Sequence, residues 1–363
     1  MSLPTVLPAA QCRYDAVALG EVMLRLDPGS TRIRAARSFD VWEGGGEYNV
    51  ARALSRTFGH RTAVLSALVD NEVGRLLESL IMSGGVDPSW IRWRDFDGTG
   101  TAARNALNFT ERGFGVRGAL GVSDRGHSAA SQLAPGDFDL EELFGRRGVR
   151  WLHTGGIFAG LSASASACAG GAMERARAAG AVVSVDLNFR PSLFRGDGGA
   201  ERARAAFHGL AAGADVLIGG FQDFADRLGV HAPDAAAPEA ERFAAVAELL
   251  MERYPRLRVV ASTVRRATSA SVNDWGARAY ARGGEYAESR VFRDLAIFDR
   301  VGGGDGFVAG FAHAVLDGGD LQTALEYGAA HGALAMTTPG DGSMASLAEV
   351  RNLAADAGHG ESR

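Results

Sequence analysis

Short apolar runs that end on glycine, each followed by a helical stretch, recur along this chain, and that alternation most narrows what it can fold into. Residues 14–19 read as a buried strand closing on Gly20, and a helix at 47–58 follows Gly44-Gly45-Gly46. A second strand at 62–68 leads to a helix at 71–82 that Gly84-Gly85 stops. Further strands at 151–154, 182–186, 215–218 and 258–262 alternate with helices at 164–179, 201–212 and 239–254. This spacing suits parallel strands joined by crossover helices, so the expectation is an α/β chain whose central, mostly parallel sheet is covered on both faces. Ligands of such sheets sit beyond the carboxyl ends of the strands. Gly20, Thr154-Gly155-Gly156, Asp186-Leu187-Asn188 and Gly219-Gly220 all fall at such ends.

Two segments break the alternation. Residues 22–43 and 98–123 read as short extended pieces rich in Arg, Thr and Phe, and are expected to form a small separate sheet: either a lid that excludes water from a site at the strand ends, or ordinary surface hairpins. The C-terminal third reads as helices at 307–316, 321–336 and 345–355, and the Ala- and Pro-rich stretch 231–241 as a loop. One domain spanning 12–355 follows, with tails at 1–11 and 356–363.

Composition removes several function classes. With 38 basic against 43 acidic residues the net charge is −5, which gives no electrostatic case for nucleic acid. Two cysteines, Cys12 and Cys168, make neither a disulfide framework nor a metal-ligand spacing, pointing to a reduced, cytoplasmic setting. The first eleven residues lack the pattern of a secretion signal, and no apolar run reaches the length of a membrane span, so no membrane partner is expected.

The chemistry concentrates in Asp299-Arg300-Val301-Gly302-Gly303-Gly304-Asp305. Glycines let a main chain approach an anion, and N–H groups at a helix start point toward it with the helix dipole behind them. Asp305 is itself negative and a poor phosphate ligand; it reads either as the base that takes a proton from an attacking hydroxyl or as a helix cap. Neither a P-loop, nor a dinucleotide-binding G-x-G-x-x-G, nor the protein-kinase motifs are present.

Gly302-Gly303-Gly304-Asp305, with Gly45-Gly46-Glu47-Tyr48-Asn49 near the other end, resembles the paired motifs of the ribokinase-like (PfkB) carbohydrate kinases, over residues 14–350. Gly20 to Leu26, Asp186-Leu187-Asn188-Phe189-Arg190-Pro191 and Thr337-Thr338-Pro339-Gly340-Asp341 resemble its 2-keto-3-deoxygluconate kinase branch. The resemblance implies a three-layer α/β/α sandwich with a β-sheet lid, dimerising through that lid. It implies a sugar kinase using ATP and magnesium, with a monovalent cation as a further cofactor the family admits, and a sugar or sugar acid as substrate. Fructokinase, ribokinase and nucleoside kinase types, or a weakly catalytic sugar-binding regulator, are the alternatives.

Roles follow by the same resemblance. Asp305 is the base, and the N–H groups of Gly302, Gly303 and Gly304 hold the migrating phosphoryl group. Gly45, Gly46 and Asn49 contact sugar hydroxyls, although an Asn equally caps a helix. Arg25, Asn105 and Arg125 are further substrate ligands. Arg190, just past a strand end, offers a planar fork to a carboxylate or a phosphate, or forms a surface ion pair. Asn188, Thr263, Arg265, Gly332 and Ala333 belong to the nucleotide site, the last two equally to helix packing. Asp223 is the metal-linked acid, within a departure: the family's Asn-x-x-Glu reads Gly220-Phe221-Gln222-Asp223 here. Gly306 stands where a small polar residue is more usual.

Overall fold

Every residue of Thr62–Val69 is buried, as a strand covered on both faces requires. The computed structural model describes residues 3–196 and 198–355; the expected tail 356–363 lies outside the described residues, as do Met1 and Ser2.

The chain opens with β1 (Ala16–Leu19), β2 (Met23–Asp27), β3 (Asp40–Gly44), α1 (Gly46–Arg56), β4 (Thr62–Val69), α2 (Glu72–Ser83), β5 (Val86–Asp87) and β6 (Ile91–Arg94). There follow β7 (Ala106–Glu111), β8 (Leu120–Asp124), β9 (Trp151–Gly155), α3 (Gly156–Leu161), α4 (Ala163–Ala178), β10 (Val182–Asp186), α5 (Gly199–Gly213), β11 (Val216–Ile218) and α6 (Phe221–Leu228). The last part holds α7 (Glu239–Arg253), β12 (Val259–Ala267), β13 (Val272–Ala281), β14 (Glu285–Glu288), β15 (Phe292–Ala296), α8 (Gly303–Leu316), α9 (Leu321–Ala335) and α10 (Leu347–Ala355).

The large sheet runs β14-β13-β12-β11-β10-β9-β1-β4-β5, with β6 beside β4 and β15 beside β13. From β12 through β5 the pairings are parallel, while β13 turns back antiparallel on β12. Successive strand residues serve opposite layers: Val183, Leu217 and Val260 pack with α4, α5 and α7, whereas Val182, Val216 and Val259 pack with α8 and α9. The antiparallel extension β13–β15 is absent from the sequence reading. Val272–Ala281 interleaves Asn, Asp, Gly and Arg with its apolar residues, which hides the strand pattern.

Residues 22–43 and 98–123 do form a separate sheet of four strands, ordered β3-β2-β7-β8, in which β2 and β7 run parallel. The expected tail 1–11 is in part tied down. Leu3 and Val6 pack on the core, Leu7 O accepts from Arg150 Nε at 2.8 Å, and Ala9 O accepts from Arg61 Nη2 at 3.0 Å. Among the described residues no helix is long and apolar enough to cross a membrane.

Candidate active site

A cavity of about 760 Å³ lies at the carboxyl ends of β10, β11 and β12, roofed by β7 and β8 of the small sheet. The carboxyl ends of the strands are where open α/β sheets bind ligands.

Its floor is the start of α8. Gly302 caps that helix with φ +83°, and a Cβ there would stand 2.1 Å from Asp341 O, so only glycine fits. Gly306 N donates to Gly302 O at 2.7 Å. The N–H groups of Gly303, Gly304 and Asp305 precede that first intrahelical bond and carry the positive end of the helix dipole. A Cβ added to Gly304 would meet nothing within 4 Å, so this turn is open to the cavity.

Asp305 stands on the same turn. Asn49 Nδ2, from α1, donates to its Oδ2 at 2.7 Å. Burial pushes the Asp305 carboxyl up to about 6, with the Asp341 charge in the same direction and the Asn49 bond and Arg190 charge against it. Asn49 reaches Asp305 because α1 starts at Gly45, whose φ of +145° and 2.1 Å approach to Glu21 O admit no side chain. Gly46 leaves room too: a Cβ there would lie 3.5 Å from Asp305 Oδ1.

Two further acids crowd this centre. Asp186, at the end of β10, is pushed up to about 7 by burial and by the Asp305 and Asp223 charges, with Arg190 opposing. Glu47, 4% exposed, fills the notch left by Gly20 and Gly155, and burial drives its carboxyl up to about 8. It is therefore protonated at neutral pH.

The cations are distributed around the rim. Arg190 is exposed at the cavity, its Nη1 reaching only Phe189 O at 3.5 Å. Arg125 enters from beyond β8 and lies 3.5 Å from Glu21. The roof strands present a hydrogen-bonded chain in which Ser123 Oγ donates to Asn108 Oδ1 at 3.0 Å and Asn108 Nδ2 donates to Thr110 Oγ1 at 2.9 Å.

Residues 14–347 match the family model described as pfkB family carbohydrate kinase. The chain belongs to that family. It is a phosphotransferase acting on a sugar hydroxyl, built on the ribokinase-like α/β fold. It is 30% identical over 340 residues to a 2-dehydro-3-deoxygalactonokinase of Haloferax volcanii, covering 93% of this chain and 96% of that protein. A 5-dehydro-2-deoxygluconokinase of Geobacillus thermodenitrificans is 25% identical, over 89% and 88% of the two chains. Among solved structures, the 2-dehydro-3-deoxygluconokinase of Thermotoga maritima superposes with a TM-score of 0.85 at 32% identity, over 94% of this chain and 99% of that one. An Escherichia coli putative ribokinase II, solved with ATP and magnesium, shares the fold at a TM-score of 0.72 and 18% identity.

In this kinase the cavity gathers Gly45, Gly46, Asn49, Arg125, Asn188, Arg190, Asp223, Thr263, Arg265, Gly302, Gly303, Gly304 and Asp305. Four expected site residues lie elsewhere. Arg25, read as a substrate ligand, is 0% exposed. It pairs with Asp27 at 3.2 Å, with Asp341 at 2.6 Å and with Asp299, and so ties the roof to the loops flanking the floor. Asn105 is also buried, with Oδ1 accepting from Val69 N at 2.9 Å and Nδ2 donating to Asn71 Oδ1 at 3.0 Å. Gly332 and Ala333 face the protein, not a nucleotide pocket. A Cβ at Gly332 would stand 2.7 Å from Gly303 O, and Ala333 is 1% exposed in the core.

Asp186, Asp341, Arg300 and the Asn108–Ser123 pair line the cavity although the sequence reading gave them no role. The first three sit inside motifs already singled out. The roof pair carries no motif, because its meaning comes from the register of β7 on β8, which sets Asn108 opposite Ser123. Asp223 Oδ2 accepts from Gly220 N at 3.0 Å, so part of this carboxylate caps α6. Among the described residues the one cluster of three potential metal ligands, His60, His313 and Asp317, does not line the cavity.

Proposed function

We propose that this kinase phosphorylates a hydroxyl of a dehydro-deoxy sugar acid, 2-dehydro-3-deoxygluconate first, with ATP as donor. The observation that carries the reading is Arg190. It is a guanidinium at the cavity rim, close enough to Asp186 and Asp305 to act on both charges and without a side-chain partner among the described residues. A planar fork held open beside the reacting centre suits a carboxylate, which a neutral sugar lacks. Arg125, whose charge Glu21 meets only at 3.5 Å, strengthens the same bias. The Haloferax, Geobacillus and Thermotoga proteins are named as kinases of dehydro-deoxy sugar acids.

The acceptor hydroxyl lies against Asp305, which Asn49 orients through Oδ2 while leaving Oδ1 for the proton. Negative charge developing on the transferred phosphoryl group meets the N–H groups of Gly303, Gly304 and Asp305. The sugar's hydroxyls lie under Asn108, Thr110 and Ser123. The fit to magnesium rests on Asp186 and Asp223, two carboxylates at the cavity; Asp186 is raised by burial and then by the Asp305 and Asp223 charges, and a divalent cation would relieve that repulsion. Bound there, magnesium supplies charge neutralisation along the donor's phosphates.

We further infer a cytoplasmic enzyme, in keeping with two buried free thiols, and a dimer through the roof sheet. β8 is exposed along its whole length, and Val41, Leu120 and Val122 present apolar surface on that sheet.

The test is a substrate panel read by ADP release. The 2-dehydro-3-deoxy sugar acids should exceed fructose, ribose and nucleosides in kcat/KM. Arg190→Met should cost the acids roughly ten- to a hundredfold and neutral sugars little. Neutral sugars outcompeting the acids would overturn the reading. Preference for the galacto epimer would move it to the specificity named for the Haloferax relative.

A further inference from the structure

The phosphate-binding turn carries an arginine that the mechanism above leaves without a task. Arg300 lies two residues before Gly302, is exposed, and lines the cavity, while its neighbour Asp299 is buried against Arg25. Arg265 reaches the same cavity from β12. Its Nε meets Asn273 Oδ1 at 3.1 Å once that amide is turned to satisfy its neighbours. Among the described residues no carboxylate pairs with either guanidinium. The two are close enough to repel, and burial together with the Arg300 charge lowers the Arg265 pKa.

Two uncompensated guanidiniums facing one cavity beside a helix N-terminus form a site in want of a polyanion. The neighbouring start of α6, which also lines the cavity, is short of polar reach. Gly220 has no side chain, and Asp223 spends one oxygen on Gly220 N at 3.0 Å. We propose that Arg300 and Arg265 clamp the phosphate chain of the nucleotide donor, with Arg300 contacting the phosphoryl group that is transferred. The clamp supplies in side-chain charge part of the neutralisation that would otherwise fall to the metal. It binds ATP even without a divalent cation, and it favours a triphosphate over a diphosphate because the added charge lies nearest Arg300. The proposal rests on the kinase reading above.

The experiment is calorimetric titration of the wild type, Arg300→Ala, Arg300→Lys and Arg265→Ala with ATP, ADP and adenosine, in EDTA and in magnesium. Thermal unfolding serves as the check of fold. Wild type should bind ATP in EDTA more tightly than ADP. Arg300→Ala should weaken ATP roughly ten- to a hundredfold in EDTA and erase the preference over ADP, while adenosine is unchanged. The lysine variant should recover part of the loss, since it keeps the charge without the fork. Arg300→Ala binding ATP in EDTA as wild type does would overturn the clamp and leave the kinase reading standing. Wild type binding no ATP in magnesium would overturn both.

Discussion

Asp305 and Asn49 are separated by 256 positions in sequence and by one hydrogen bond of 2.7 Å in space. That bond fixes one oxygen of the carboxylate and leaves the other for a substrate hydroxyl. A base must be ionised, and burial raises this one to about 6. The rate with saturating sugar acid should therefore climb tenfold per pH unit below about 6 and level above it. A pH–rate profile flat from 5 to 8 would remove Asp305 from the role. Both glycine motifs were legible as residues, because phosphate chemistry dictates residue types at fixed spacing. Arg25 was misread for the opposite reason. The resemblance made it a substrate ligand, and nothing local shows a structural role when its partners, Asp299 and Asp341, stand 274 and 316 positions away.

At the scale of elements, strand–helix alternation carried most of the large sheet, since a two-faced strand reads as an unbroken apolar run. Val182–Asp186 has the expected bounds, and Glu239–Arg253 differs from them by one residue. What escaped was decided between elements: β13 pairing back on β12, α9 pressed on the Gly303 carbonyl, and Glu47 plugged between β1 and β9. The plug is testable. Glu47 is raised from an ordinary 4.5 to about 8, so its contribution to stability is full below about 4.5 and is lost as pH rises through about 8. Glu47→Gln, neutral at every pH, should melt near wild type at pH 5 and above it at pH 8.5. Equal melting differences at both pH values would contradict a buried neutral carboxyl. Arg25→Met would leave Asp27, Asp299 and Asp341 facing one another without their shared cation. A loss of roughly 3–5 kcal/mol in urea unfolding is expected, together with a raised KM for the sugar acid as roof and floor separate.

The whole molecule brings three parts to one place: sheet ends, a helix start and a four-stranded roof. The roof was legible as two irregular segments. The parallel pairing of β2 with β7 was not, because it depends on a chain excursion through β3, α1 and β4 that no local pattern announces. The roof's outer edge is where copies should meet. Light scattering after size-exclusion chromatography should give a dimer, and Val122→Glu on the exposed edge strand should give monomers with their nucleotide affinity retained. A wild-type monomer at micromolar concentration would refute pairing through the roof.

Phosphoryl transfer to a sugar acid in this cavity turns on Asp305 as base. The most direct test compares wild type with Asp305→Asn in ADP release on 2-dehydro-3-deoxygluconate, with ATP affinity measured alongside. Turnover should fall roughly a hundred- to ten-thousandfold with ATP affinity retained. Turnover within a few fold of wild type would contradict Asp305 as base.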